Sequence, residues 1–143
     1  MSSEAVVAHA AVGRRPLGPV TAGLCIALVK LAVRVLGFRR TLKIIEWSTR
    51  DVALDRTPTQ AEVRRAARKV IVAAALYPGR AKCLEQSLVL YLSLRRMGID
   101  ARLRLGVQSF PFAAHAWVEV NGEPVWEDPE MVQGFAALSG SIA

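Results

Sequence analysis

Cysteine and histidine are scarce in this chain, with two of each among 143 residues. Cys25 and Cys83 are too few for a disulfide framework and cannot build a four-cysteine zinc site. His9 and His115 lie far apart in sequence, which argues against a metal enzyme. A reduced, cytoplasmic setting is therefore expected. Aromatic residues make up only 6%. The basic groups, such as Arg64-Arg65 and Arg95-Arg96, have no interleaved rings on which bases could stack, so no nucleic-acid partner is expected. A long uncharged run is missing as well. The apolar stretch over residues 17–38 is interrupted by Lys30 and Arg34, short of the roughly 20 residues of a membrane span. Acids are also few, 12 against 19 Lys and Arg, for a net charge of +7. That balance permits an acidic membrane surface or an acidic peptide as partner and selects neither.

What is present suits one folded domain. Hydrophobic residues are 52% of the chain, enough for a core without disulfide or metal staples. Residues 1–15 show no periodic pattern and read as a disordered tail. Residues 16–143 read as a single domain of the α+β class, with a helical half over 16–78 and a helix plus a small antiparallel sheet over 79–143. In the first half Leu24, Leu28, Leu31 and Val35 recur at helical spacing, predicting a buried amphipathic helix that stops at Gly37, with attachment to a membrane surface as the alternative. A segment near Thr41 to Trp47 is ambiguous. Thr57-Pro58-Thr59-Gln60 predicts a helix start with Thr57 as N-cap and Gln60 at the capping-box position. Pro78-Gly79 ends that helix.

The second half carries the chemistry. Residues 83–97 form a leucine-rich helix closed by Gly98. The period then switches to two over residues 101–108, predicting a half-buried strand. After a loop at 109–113, a second strand runs over 115–120, and Asn121-Gly122 signals a hairpin turn into residues 125–128. Cys83 opens its helix behind Arg80 and Lys82, where the helix dipole and two cations favour the thiolate. Cys25 sits inside an apolar helix with no such surroundings. On the second strand His115 shares a face with Trp117 and Glu119, opposite Ala116, Val118 and Val120. A helix-borne cysteine with a strand-borne histidine is the papain-like arrangement of a thiol nucleophile and its base. A carboxylate should orient the imidazole, and the turn decides which. A two-residue turn at Asn121-Gly122 puts His115 opposite Asp128. A three-residue loop with a bulge at Gly122 puts it opposite Glu127.

Cys83-Leu84-Glu85-Gln86-Ser87-Leu88, then residues 95–103, then His115-Ala116-Trp117-Val118-Glu119-Val120-Asn121-Gly122, resemble the transglutaminase-like cysteine proteases of lasso-peptide biosynthesis. Within them the likeness is to the stand-alone leader-peptidase half of the B protein, over residues 66–138. The resemblance implies a triad of cysteine, histidine and acid: Cys83, His115 and, twelve residues later, Glu127 in place of the family's commoner aspartate, with Asp128 as the alternative. It implies removal of a leader from a precursor peptide with no cofactor. It also implies a separate leader-recognition protein, and a cyclase that takes up the freed core peptide. The backbone N–H of Cys83 is a candidate oxyanion donor, Gln86 a candidate helper or structural amide, and Trp117 and Trp126 candidate liners of the peptide groove. A transglutaminase or amidase on the same triad, or an inactive peptide-binding module, are the rival readings.

Overall fold

A computed structural model describes residues 15–138; the expected tail over residues 1–15 falls, but for Arg15, outside the described residues. The chain runs α1 (Pro19–Leu36), α2 (Phe38–Ser48), α3 (Gln60–Leu76), α4 (Cys83–Arg96), β1 (Ala101–Ser109), β2 (Phe112–Val120), β3 (Glu123–Pro124), α5 (Pro129–Gln133) and β4 (Ala136–Ala137). The strands form one antiparallel sheet in the order β3-β2-β1-β4. The architecture is the α+β class expected from the switch of period.

Helix α4 is the centre. Leu88, Val89, Tyr91 and Leu94 are fully buried, because α1 and α3 cover one side while β1 and β2 cover another. Each such side chain contributes roughly 1.5–3 kcal/mol by leaving water. The helix ends at Met97, and Gly98 takes the left-handed conformation (φ +80°) that a side chain would resist. Its partner face on the sheet comprises Ala101 and Leu103 of β1 and Ala116, Val118 and Val120 of β2, all buried. These are alternate positions, as a period of two requires.

Several boundaries and faces differ from the sequence reading. In α1 the buried side chains are Ala22, Ile26 and Val29, whereas Leu24, Leu28, Leu31 and Val35 face outward. The helix is apolar on both sides, so spacing alone cannot tell which stripe meets the core. Close packing against α2, α3 and α4 selects the side with the small residue Ala22, which lets the helices approach. By length and composition α1 is also apolar enough to cross a membrane, which the charges at Lys30 and Arg34 were expected to preclude. Its buried face in this protein is nevertheless part of the common core. The ambiguous segment is helix α2, which restarts at once after Gly37 (φ +83°).

Helix α3 begins two residues later than expected. Thr59 is the N-cap, and its hydroxyl accepts the N–H of Glu62 while the Glu62 carboxylate accepts the N–H of Thr59. A carboxylate accepts more strongly than the neutral amide of Gln60 would, and Arg56 pairs with it as well. The second strand also starts earlier, at Phe112. A two-residue turn at Phe110-Pro111 lets β1 and β2 pair from Ser109↔Phe112 down to Ala101↔Val120.

The capping box yields a prediction. Thr59→Ala should cost about 1 kcal/mol in chemical denaturation. The Thr59 backbone N–H, then the Arg56 guanidinium, hold the Glu62 carboxyl below its ordinary value. A depressed folded-state pKa gives stability that is present above the unfolded value and lost as pH falls through the folded one. Denaturation midpoints measured at descending pH should therefore fall less steeply in Glu62→Gln than in the parent, below about pH 4.3.

Candidate active site

Cys83 is the first residue of α4, and the three residues before it are each held by a side chain. Lys30 Nζ of α1 donates to the Arg80 carbonyl at 2.7 Å, the Gln86 amide donates to the Ala81 carbonyl at 2.9 Å, and the Glu85 carboxylate accepts the Lys82 N–H. The last is one half of a capping box; Lys82 cannot return the other half because an ammonium has no acceptor. The Gln86 amide nitrogen is thus engaged by the backbone, the structural role weighed for it from the sequence. The lysine that interrupts the apolar α1 reaches this loop across the ring of Tyr77, 5.5 Å from its centroid.

One turn after Cys83, the buried Ser87 hydroxyl donates to the Ala116 carbonyl of β2 at 2.9 Å. Positions four apart share a helix face, so this bond docks the cysteine end of α4 beside the strand residue next to His115. Cys83, Gln86, Ser87, Trp126 and Glu127 line one cleft of about 80 Å³. His115 does not line it, but its neighbours Ala116 and Trp117 do. A second groove of about 1130 Å³ runs between the start of α3, the β2–β3 hairpin and α5, sharing Val125, Trp126 and Glu127 with the first.

His115 Nε2 lies 3.0 Å from Glu127 Oε1. An ionised carboxylate can only accept, so toward such a carboxylate Nε2 is the donor of this contact, and Nδ1 makes no hydrogen bond among the described residues. The hairpin reaches this contact by a route neither register anticipated. Asn121 (φ +54°) and Gly122 (φ +79°) make the two-residue turn, pairing Val120 with Glu123 and Glu119 with Pro124. Continued regularly, that ladder would bring Asp128 opposite His115. It holds only to Val125, whose N–H donates to the Val118 carbonyl at 2.8 Å. Trp126 then turns left-handed (φ +60°) and ends the pairing. The break brings Glu127 to the imidazole. Asp128 caps α5 instead, accepting the Glu130 N–H at 2.9 Å.

On its side of the sheet His115 is partly exposed, 19% at the side chain, and lined by aromatic rings. Phe135, between α5 and β4, packs on His115 with ring centroids 5.6 Å apart, and Trp117 stacks with His115 at 6.0 Å and 18°. Trp117 is 4% exposed and its indole N–H donates to Glu119, which also accepts from Arg104 at 3.0 Å. Glu119 is thereby committed to the tryptophan and the arginine. Trp126, 55% exposed, presents its ring at the cleft. No role was read from the sequence for Phe135 or for Ser87, although Ser87 stands in the motif that opens with Cys83. Ser87 was findable four residues from Cys83, whereas nothing local marks Phe135. Cys25 is half-buried in α1; burial pushes its thiol above the ordinary value, with Arg96 opposing in part. Among the described residues no group of three or more Cys, His, Asp or Glu is placed to hold a metal.

Comparison with known proteins places the chain in a family. The model of the transglutaminase-like superfamily matches residues 25–140. The microcin J25-processing protein McjB of Escherichia coli is 40% identical over 60 residues, which is 42% of this chain and 29% of that protein. The match therefore spans less than a third of the relative's length. No solved structure matches.

Gly106 is what admits the aromatic cover. It pairs with His115 across β1 and β2. A Cβ there would lie 2.8 Å from the Phe135 Cβ and 2.9 Å from the Trp117 ring. Gly106→Ala should lower stability by about 1–3 kcal/mol through overpacking, read as a reduced thermal midpoint.

Proposed function

Because the chain belongs to the transglutaminase-like superfamily, we propose that it is a cysteine peptidase of lasso-peptide maturation, cutting the leader from a ribosomal precursor. The observation that carries this reading is the His115–Glu127 contact beside a cleft that Cys83 and Glu127 line together. The likeness to a microcin J25-processing protein supports the choice of substrate. The large groove continuing from the cleft past Trp126 has room for an extended peptide on either side of the cut. A leader-recognition protein would deliver the precursor and a cyclase would take the product.

The chemistry is acyl transfer to water. His115 Nδ1 accepts the thiol proton, and the Cys83 thiolate adds to the scissile carbonyl carbon. The N–H groups of the first α4 turn have no intrahelical acceptor, so that of Cys83 can bind the oxyanion. Collapse breaks the C–N bond as the imidazolium protonates the leaving amine, leaving a thioester. His115 then deprotonates water, which attacks the thioester, releasing the new carboxylate and restoring the thiol. Glu127 fixes the tautomer throughout and stabilises the imidazolium, which an amide could hold but not neutralise. No cofactor takes part.

Incubation with precursor peptide, read by mass spectrometry, tests this. Cys83→Ala and His115→Ala should abolish cleavage while far-UV helicity is retained. Glu127→Gln should lower turnover on the order of a hundredfold or more. Asp128→Asn should change it little, since asparagine caps a helix as well as aspartate does. Substantial cleavage by Cys83→Ala would sink the protease assignment. A greater loss in Asp128→Asn would move the orienting role to Asp128. Amine incorporation into side-chain amides without backbone cleavage would favour a transglutaminase.

A further inference from the structure

Helix α1 presents an apolar ridge to solvent. Val20, Leu24, Leu28, Leu31 and Val35 are each 58–80% exposed. At 3.6 residues per turn they fall within an arc of roughly 80° and extend about 22 Å along the axis. Ala22, Ile26 and Val29 point the opposite way, into the core. Scattered single leucines on a surface need no explanation, but a continuous stripe of five does. A helix apolar on both faces is ordinarily enclosed by protein or lipid. Here the described residues enclose only one face.

The charges around the ridge say what covers the other. From Arg15 to Arg50 there are seven Lys and Arg and a single acid, Glu46, and the next residue, Asp51, lies 3.6 Å from the Arg50 guanidinium. Arg34 borders the stripe, and Arg39, Arg40 and Lys43 follow where the helix ends, all four exposed. α2 adds two exposed apolar side chains, Ile44 and Trp47, with the Arg50 guanidinium 4.9 Å from the indole. Indole and leucine side chains amid arginines are the composition of a surface seated at a membrane interface. A second copy of the chain suits the ridge less well: pairing two of them would set arginines against arginines, with only Glu46 and Asp51 of each chain close by in sequence to offset them. Neither groove described above includes the ridge.

We infer that the outer face of α1 seats this protein on an anionic lipid bilayer, with its apolar ridge in the acyl boundary and its arginines among the headgroup phosphates. The opposite face of α1 stays in the core, so attachment is to one leaflet and not a span. The inference does not depend on the peptidase reading, since Cys83, His115 and Glu127 lie on other elements.

Sedimentation of the full chain with vesicles tests it. The protein should pellet with vesicles of phosphatidylcholine and phosphatidylglycerol about tenfold or more better than with phosphatidylcholine alone, and raised salt should weaken the binding. Leu28→Asp with Leu31→Asp should abolish it at unchanged helicity, as both side chains are exposed. Should that variant misfold, Arg39→Gln with Arg40→Gln, off the ridge, must still reduce anionic binding. The inference is overturned if the parent ignores anionic vesicles, or if neither variant loses binding. It is equally overturned if the bound protein resists alkaline carbonate extraction, which would mean insertion of α1. A parent dimer that the aspartates dissociate, without vesicle binding, would assign the ridge to a second copy.

Discussion

The docking of α4 against the β1–β2 hairpin is the contact on which the rest depends. One side of the helix carries leucines into the common core, and its first turn carries the Ser87 hydroxyl onto the Ala116 carbonyl. The apolar burial supplies most of the stabilisation, since each buried leucine outweighs a single hydrogen bond. The Ser87 bond supplies register. It is buried, so losing it would strand a polar group in the core, and sliding α4 along the sheet is disfavoured. Because Cys83 is one turn away, the same bond holds the cysteine end of α4 against β2 at Ala116, the residue next to His115.

Around His115 the structure commits its acids to separate tasks. Glu119 holds the Trp117 indole and Arg104, Asp128 caps α5, and Glu127 meets the imidazole. What allows this division is a single backbone choice. Trp126 adopts a left-handed conformation that a non-glycine residue takes at a cost of order 1 kcal/mol or more. The cost is borne by the surrounding contacts: Val125 is buried against Val118, and the two-residue turn behind it is unstrained in Asn-Gly. Phe135 and Trp117 then fix the ring plane of the histidine, and Gly106 leaves them the space.

The N-terminal half is joined to this arrangement through Lys30, whose ammonium holds the Arg80 carbonyl three residues before Cys83. α1 therefore faces three ways: its small residues meet the core, its lysine touches the loop that leads into α4, and its leucine ridge meets solvent. An attachment surface on that ridge would leave the cleft unobstructed, since no α1 residue lines it.

The elements whose signals are local were legible in the sequence. The switch from helical to alternating period, Gly98 after the leucine helix and Asn121-Gly122 in the hairpin each act over a few residues, and all appear where expected. So did Cys83 at a helix start and His115 on a strand. Other features were set by competition among distant parts. Which apolar stripe of α1 faces inward depends on the shapes of α2, α3 and α4, because both stripes are hydrophobic. The N-cap moved from Thr57 to Thr59 because Glu62 and Arg56 complete the better network. Register counting tied Glu127 to a three-residue loop, yet Glu127 meets His115 behind a two-residue turn, because the ladder breaks at Trp126. Periodicity and turn chemistry determined the elements and their order; packing decided their faces and brought Glu127 to the histidine, because a side chain's neighbours across space are not written in its neighbours along the chain.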